Sequence, residues 1–457
     1  MHWEQTVEFA ALSDIGFRRQ NNEDSNTVLM ATRSEVYQQF GHLFLVADGM
    51  GGHAVGELAS KIAADIVPLA FQKARPDSFV EALRQAIEEA NAVIHNRGER
   101  NADFRKMGTT CTTLVLSPEG ALVGHIGDSR CYRIRGRRID QLTFDHSLQW
   151  ELIRQGKQRR EDILLQQPRN VITRCLGPEA EVEVDIEGPF PVLPGDVYLL
   201  CSDGLTGLLS DPEIGLVARG LPPVEACRLL VDLANLRGGT DNVTVVIARV
   251  GDLPPGLTDS SVPMPVERPD RTSWSWFAAW CGWGMLLAVS IVLMISGKVV
   301  EGLLVLGGVL IAFGALIISG LRLWPRTGKI KDQDKTVYWR PHRSAEFKLS
   351  SEFLGMLTAL EQTLQATALE EGWSIDWSEH KAAYEQASRA LAAREFQSAL
   401  LPLGKAIHVL VASIQDARRR LDRAVKWGGK TPLPTNRLKV PTESQGPSDE
   451  KQPDKQE

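Results

Sequence analysis

Along residues 1–250 the apolar runs are short, each about the length of a strand, and they alternate with segments of helical spacing. Several of these runs stop at an acidic residue followed by a small one: LFLVADG at Asp48, ALVGHIGDS at Asp128 and VYLLCSDG at Asp203. GGTDNVTVVIARV mirrors the arrangement, with Asp241 just ahead of its strand. The pattern breaks at residues 251–273, where prolines and small polar residues make a linker that cannot build a core. It changes again at residues 274–324, where two nearly continuous apolar stretches replace the alternation. Residues 344–427 carry apolar positions at three- and four-residue intervals with no strand-like run, which predicts an all-α region. The hairpin around Tyr384, Ala390, Phe396 and Ala399 is faintly tetratricopeptide-like, and a plain bundle of three or four helices fits the same spacing. Residues 428–457 are polar and Pro-containing, the composition of a disordered tail.

The stretches 274–296 and 299–324 are each long enough to cross a hydrocarbon core of ~30 Å as a helix. The connection between them holds Lys298 and is so short that the two must form a tight hairpin. Small residues recur at four-residue spacing, as in Ala278/Gly282 and Gly308/Ala312, allowing close helix packing. Arg268 and Arg271 precede the hairpin, and Arg322, Arg326, Lys329 and Lys331 follow it. That bias predicts a multi-pass protein of the cytoplasmic membrane, with the N-terminal domain and the C-terminal region both in the cytoplasm. Trp274, Trp276 and Trp324 stand where interfacial aromatic belts belong.

Composition narrows the partners. A 457-residue chain with a formal net charge of −6 has no basic footprint for nucleic acid. The six cysteines show no CxxC spacing, and four of them (Cys111, Cys131, Cys201 and Cys227) lie in apolar runs. Buried, reduced thiols are therefore expected rather than a disulfide framework or a zinc site. The N-terminus has neither the basic nor the apolar region of a signal peptide.

A single Asp-Gly is an ordinary turn signal. Four aspartates at strand ends are a different matter, because carboxylates massed at one rim repel and raise one another's pKa unless a cation neutralises them. SDIGFRRQNNEDS adds Glu23 and Asp24 behind Arg18 and Arg19. Oxygen ligands without a His or Cys set point to Mg²⁺ or Mn²⁺, and an adjacent arginine suggests a phosphate. An EF-hand confines its acids to a twelve-residue loop, whereas these span the whole N-terminal region.

In order, SDIGFRRQNNEDS, LFLVADGMGGHAVGELAS, GTTCTTLVL, GHIGDSRCYRIR, LTFDHSL, NVITRCLG, LLCSDGLTGLLSD and GGTDNVTVVI resemble the bacterial type 2C metal-dependent protein phosphatases over roughly residues 5–250. The resemblance implies an α+β catalytic domain at 1–250, a four-layer α-β-β-α sandwich of two antiparallel sheets flanked by helices. It implies hydrolysis of phosphoserine and phosphothreonine in proteins by water activated at two Mn²⁺ or Mg²⁺ ions, with a third ion as a further option. In that scheme Asp48 bridges the metals, Gly49 offers its carbonyl to one of them, Asp203 and Asp241 complete the coordination of the second metal, and Glu23 and Asp24 hold metal-bound waters. Asp128 belongs to the third ion. Arg19 grips the phosphate, with Arg18 as the alternative.

Eukaryotic members carry a histidine after the DG, where this chain has Met50. His53, three residues on, is either the catalytic acid or the cap of the following helix. His146 reads as structural or as part of a flap over residues 147–172 that carries Lys157, Arg159 and Arg160. The expected whole is a membrane-anchored phosphatase opposing a Ser/Thr kinase. The alternatives are an inactive phosphatase-like scaffold and a hydrolase of small phosphoesters. The cluster Arg418, Arg419, Arg420 and Arg423 reads as a helix C-terminus complementing its dipole, or as a contact for anionic lipid or an acidic partner.

Overall fold

The computed structural model describes residues 6–52, 54–74, 78–155, 171–251, 282, 285–308, 310 and 341–426. His53, the flap charges Lys157, Arg159 and Arg160, the linker and the C-terminal tail lie outside the described residues. The chain divides into two compact units, one formed by Met1–Val262 with Trp339–Glu457, the other by Pro263–Tyr338.

Two antiparallel sheets make the centre of the larger unit. The first runs in the order β1 (Val7–Asp14), β11 (Val243–Val250), β10 (Val197–Cys201), β7 (Arg130–Arg135), β8 (Arg138–Gln141) and β12 (Arg343–Glu346). The second runs β2 (Asp24–Leu29), β3 (His42–Met50), β5 (Cys111–Ser117), β6 (Gly120–Ile126) and β9 (Asp185–Phe190), with β4 (Gly108–Thr109) also paired to β3.

The apolar runs are near-continuous because both faces of each sheet are covered and successive side chains go to opposite faces. On β3, Phe44 and Val46 point between the sheets, where they meet Tyr198, Leu200, Val246 and Ala248. Leu43, Leu45 and Ala47 point the other way, under α2 (Ala54–Lys73) and α3 (Phe79–Arg100). On β11 the same alternation sends Val246, Ala248 and Val250 inward and Val243, Val245 and Ile247 outward. Each such fully buried side chain contributes about 1.5–3 kcal/mol. The outer helices of the first sheet are α6 (Asp211–Gly220) and α7 (Pro223–Leu236). Shorter helices are α1 (Ser34–Phe40), α4 (Leu148–Gln155) and α5 (Asp203–Thr206).

The region expected to be all-α differs in two respects. It opens with a strand, β12, whose Ser344 pairs with Asp140 and Ala345 with Ile139 on β8. A four-residue run with one apolar side chain has no periodicity to read. Its place is set by partners: Ser344 Oγ donates to Asp140 Oδ1 at 2.6 Å, and Arg343 meets Asp211 at 3.2 Å.

The helices that follow share the core of the first sheet. These are α10 (Ser351–Glu370), α11 (Trp377–Ala392) and α12 (Phe396–Lys426). Leu400, Leu403, Ile407, Leu410, Val411 and Ile414 of α12 are buried in one cluster with Leu229, Leu230 and Leu233 of α7. Among the described residues, Phe396–Arg418 is the single helix long and apolar enough to cross a membrane, and just over half of its apolar 18-residue stretch is buried.

In the smaller unit, α8 (Met285–Ile295) and α9 (Val299–Gly308) are joined through a turn at Gly297 and Lys298. Ser290 Oγ donates to the Gly302 carbonyl at 2.9 Å, tying the two helices together. Their outer faces expose Met285 (73%), Ile295 (81%), Val300 (73%) and Leu304 (74%).

Candidate functional site

The strand-end acids converge on one rim. Asp24 opens β2 directly opposite Asp48 on β3. Asp128 follows β6, Asp203 opens α5 after β10, and Asp241 precedes β11. The charges of Asp24 and Asp203 both act on Asp48.

Burial dominates their chemistry. It pushes Asp24 up to about 7, aided by the charges of Asp203 and Asp241. It pushes Asp128 up to about 8, with Asp203 and Asp145 adding to it. Asp203 rises to about 6, through burial and then the charge of Asp241. Asp48 stands well above the usual carboxylate range, through burial and then Asp24 and Asp203. Asp24 Oδ1 and Asp128 Oδ1 are buried with no hydrogen-bond partner among the described residues. Leaving a buried carboxylate oxygen unpaired is costly, and a hard cation is the ligand that all-oxygen donors suit. Among the described residues, however, no three Asp, Glu, His or Cys side chains are gathered into one ready ligand set. Asp241 is instead paired with Arg19.

Neighbouring polar groups fix the backbone under these acids. Thr110 Oγ1 accepts from the Asp48 amide at 2.8 Å, while Thr110 N and Thr109 Oγ1 both donate to the Asp48 carbonyl at 2.9 Å. Ser202 Oγ donates to Asp24 Oδ2 at 2.8 Å. Asn242 Oδ1 accepts from the Glu23 amide at 2.8 Å, and its Nδ2 donates to the carbonyls of Ile15 and Asn21. Thr109, Thr110, Ser202 and Asn242 were given no role by the sequence reading, although each lies inside a motif it singled out. Ser202 and Asn242 carry a signal in standing next to Asp203 and Asp241, whereas Thr109 and Thr110 lie 61 and 62 positions from Asp48 and are brought to it only by folding.

Gly49 shows why a glycine follows Asp48. A Cβ there would stand 2.1 Å from the Gly56 carbonyl oxygen and 2.6 Å from that of Glu23. The Gly49 amide donates to the same Glu23 carbonyl at 3.1 Å.

Arg18 and Arg19 are exposed on the loop after β1, and Arg19 pairs with Asp241 Oδ2 at 2.7 Å, which sets it at the rim. Among the described residues Arg18 makes no such pair: its amide donates to the Gly239 carbonyl. His146 is fully buried, accepting from the Gly127 amide at 3.1 Å through Nδ1 and meeting Asp185 at 3.0 Å through Nε2. Both ring nitrogens are engaged, so His146 braces the Gly127–Asp128 turn.

The model for protein phosphatase 2C matches residues 31–217. Protein phosphatase PhpP of Streptococcus pneumoniae is 35% identical over 252 residues, which is 54% of this chain and 98% of the relative. The chain belongs to the protein phosphatase 2C family. It is therefore an enzyme of the phosphatase class. Serine/threonine phosphatase stp of Listeria monocytogenes is 33% identical over 240 residues, 51% of this chain and 92% of the relative. Among solved structures, the Mycobacterium tuberculosis serine/threonine phosphatase PstP is 34% identical, with a TM-score of 0.48 over 54% of this chain and 99% of that one.

Proposed function

We propose that this phosphatase hydrolyses phosphoserine and phosphothreonine in proteins at the rim formed by Asp48, Asp24, Asp128, Asp203 and Asp241. One observation carries the reading: among the described residues, four neighbouring aspartates are enclosed without an ion-pair partner, and the arginine beside them, half exposed, is held at the rim by Asp241. Asp48, the Gly49 carbonyl, Asp203 and Asp241 would hold two Mn²⁺ or Mg²⁺ ions, with Glu23 and Asp24 behind them and Asp128 toward a third. Bound there, the metal supplies an activated water and neutralises charge on the transferring phosphoryl group.

The chain's own residues do the rest. Thr109 and Thr110 hold Asp48 from both its amide and its carbonyl, so the carboxylate is preorganised. Asn242 and Ser202 do the same for Glu23 and Asp24. Arg19 grips the phosphate oxygens through its planar fork, moving between Asp241 and substrate. With water as the attacking group no side-chain nucleophile is needed, so no phosphoenzyme is expected. Met50 offers no proton, which leaves protonation of the leaving oxygen to His53 or to water.

The second part of the proposal is anchorage. The exposed apolar faces of α8 and α9, the tight turn between them and the arginine and lysine bias around residues 268–331 support a two-helix membrane hairpin. The described parts of these helices are shorter than the ~20 residues that a bilayer requires.

The test is phosphate release from a phosphothreonine peptide with and without Mn²⁺. Wild type should be active only with the metal, and Asp48→Asn should be inactive. Equal turnover by both proteins sinks the site. Turnover confined to small phosphoesters moves the substrate class. No turnover with any substrate points to a scaffold.

A further inference from the structure

The loop that carries Arg19 is held from both sides. On one side, the amides of Phe17 and Arg18 both donate to the Gly239 carbonyl, at 2.8 and 3.0 Å. A Cβ on Gly239 would stand 2.6 Å from the Phe17 nitrogen, so the two turns interlock at the backbone. The other side is held by α12, from the far end of the chain. Arg418 donates to the Phe17 carbonyl, and its guanidinium carbon lies 5.0 Å from the centroid of the Phe17 ring. Gln415 Nε2 donates to Asp14 Oδ2 at 3.1 Å. The other oxygen of Asp14 accepts from the Gly16 amide at 2.8 Å and from Asn235 Nδ2 at 2.9 Å.

The spacing on α12 makes this a directed contact. Val411, Ile414, Gln415 and Arg418 fall at three- and four-residue intervals, hence on one face. The first two are buried in the shared core, and the last two reach the loop. Farther back on α12, His408 Nδ1 meets Asp232 Oδ2 of α7 at 2.7 Å and pins the helix in register. The PhpP and stp relatives are matched over 98% and 92% of their length by about half of this chain, so nearly half of it has no counterpart in them.

We infer that α12 is a built-in brace for the arginine loop: Gln415 and Arg418 are positioning residues that fix the backbone just ahead of Arg19 and so set affinity for the phosphorylated substrate. The inference rests on the phosphate-gripping role of Arg19 proposed above. The Phe17 peptide is bonded at its nitrogen by Gly239 and at its carbonyl by Arg418, which leaves its two dihedrals little freedom. Two residues later the Arg19 side chain must find a phosphate, and angular play at Phe17 is amplified along that long side chain. Removing the Arg418 grip therefore weakens substrate binding without touching the acids that hold the metal.

The experiment uses the full chain with Mn²⁺ and a phosphothreonine peptide. Arg418→Ala should raise KM about three- to tenfold while kcat stays within about twofold. Gln415→Ala should act in the same direction and more weakly, and Arg418→Lys should recover part of the loss. Hydrogen exchange at the Phe17 and Arg18 amides should quicken in Arg418→Ala. In an Arg19→Ala background the Arg418 substitution should add nothing to KM, because it acts through that side chain. A lowered melting temperature with unchanged KM would make α12 a packing element only and overturn the brace. So would a KM effect of equal size with and without Arg19. If Arg19→Ala alone leaves KM unchanged, the phosphate-gripping role itself falls, a failure distinct from the other two.

Discussion

Two populations of acids occupy the same pair of sheets, and their neighbours set them apart. Asp140, Asp145 and Asp196 are buried, and each meets an arginine: Arg133 at 2.8 Å, Arg130 at 2.6 Å and Arg135 at 2.7 Å. Against the upward push of burial, hydrogen bonds from Ser344 and Arg133 hold Asp140 below the usual carboxylate range. Among the described residues, Asp24, Asp48, Asp128 and Asp203 are enclosed without an arginine ion pair, and all stand raised. The first group is finished chemistry, with every charge neutralised inside the chain. The second is incomplete, and its incompleteness is what marks a site.

The largest effect should separate the two groups at once. Asp48→Asn is expected to cost activity on the order of 10³-fold while leaving the melting temperature unchanged or higher, since it removes one of several repelling charges. Asp196→Asn should do the reverse. It strands Arg135 in the interior and should lower stability by about 3–5 kcal/mol, read by denaturant titration, with activity per folded molecule retained. If both variants lost stability equally, the distinction between the groups would collapse.

Chelation gives the next effect. At Mn²⁺ a hundredfold above its dissociation constant, binding adds about 2.7 kcal/mol to the folded state. EDTA should therefore lower the melting temperature of wild type and have little effect on Asp48→Asn. The smallest effect concerns pH. Against the upward push of burial, hydrogen bonds from Arg237 and Ser210 hold Glu213 down to about 2. A depressed carboxylate contributes stability that is fully present above its ordinary value of 4.5 and is lost as pH falls through about 2. Glu213→Gln should thus destabilise the protein by on the order of 1–2 kcal/mol at neutral pH. The difference from wild type should fade between pH 4.5 and pH 2, as acid unfolding curves would show.

Much of this was legible in the residues. The short apolar runs in LFLVADG and VTVVIARV predicted strands, and the acids closing or opening such runs named the rim, because strand ends in a two-sheet sandwich share an edge. Arginine partners were not legible: Arg135 and Asp196 lie 61 positions apart, and only folding pairs them. The brace was hidden for a similar reason. Gln415 meets Asp14 across 401 positions, and within its own helix Arg418 reads as one member of a basic run. β12 was invisible because its place comes from the edge it joins rather than from any period of its own.

That short strand has a topological consequence. The chain leaves the first sheet at Val250, passes through the apolar hairpin, and re-enters the same sheet at Arg343. Departure and return belong to one folded body, which cannot lie on both sides of a bilayer. Any crossings between Val250 and Arg343 must therefore come in even number, whatever the charge bias of the loops. The hairpin is a loop let out from a sheet, and one cut in either connection would leave the body still tethered by the other.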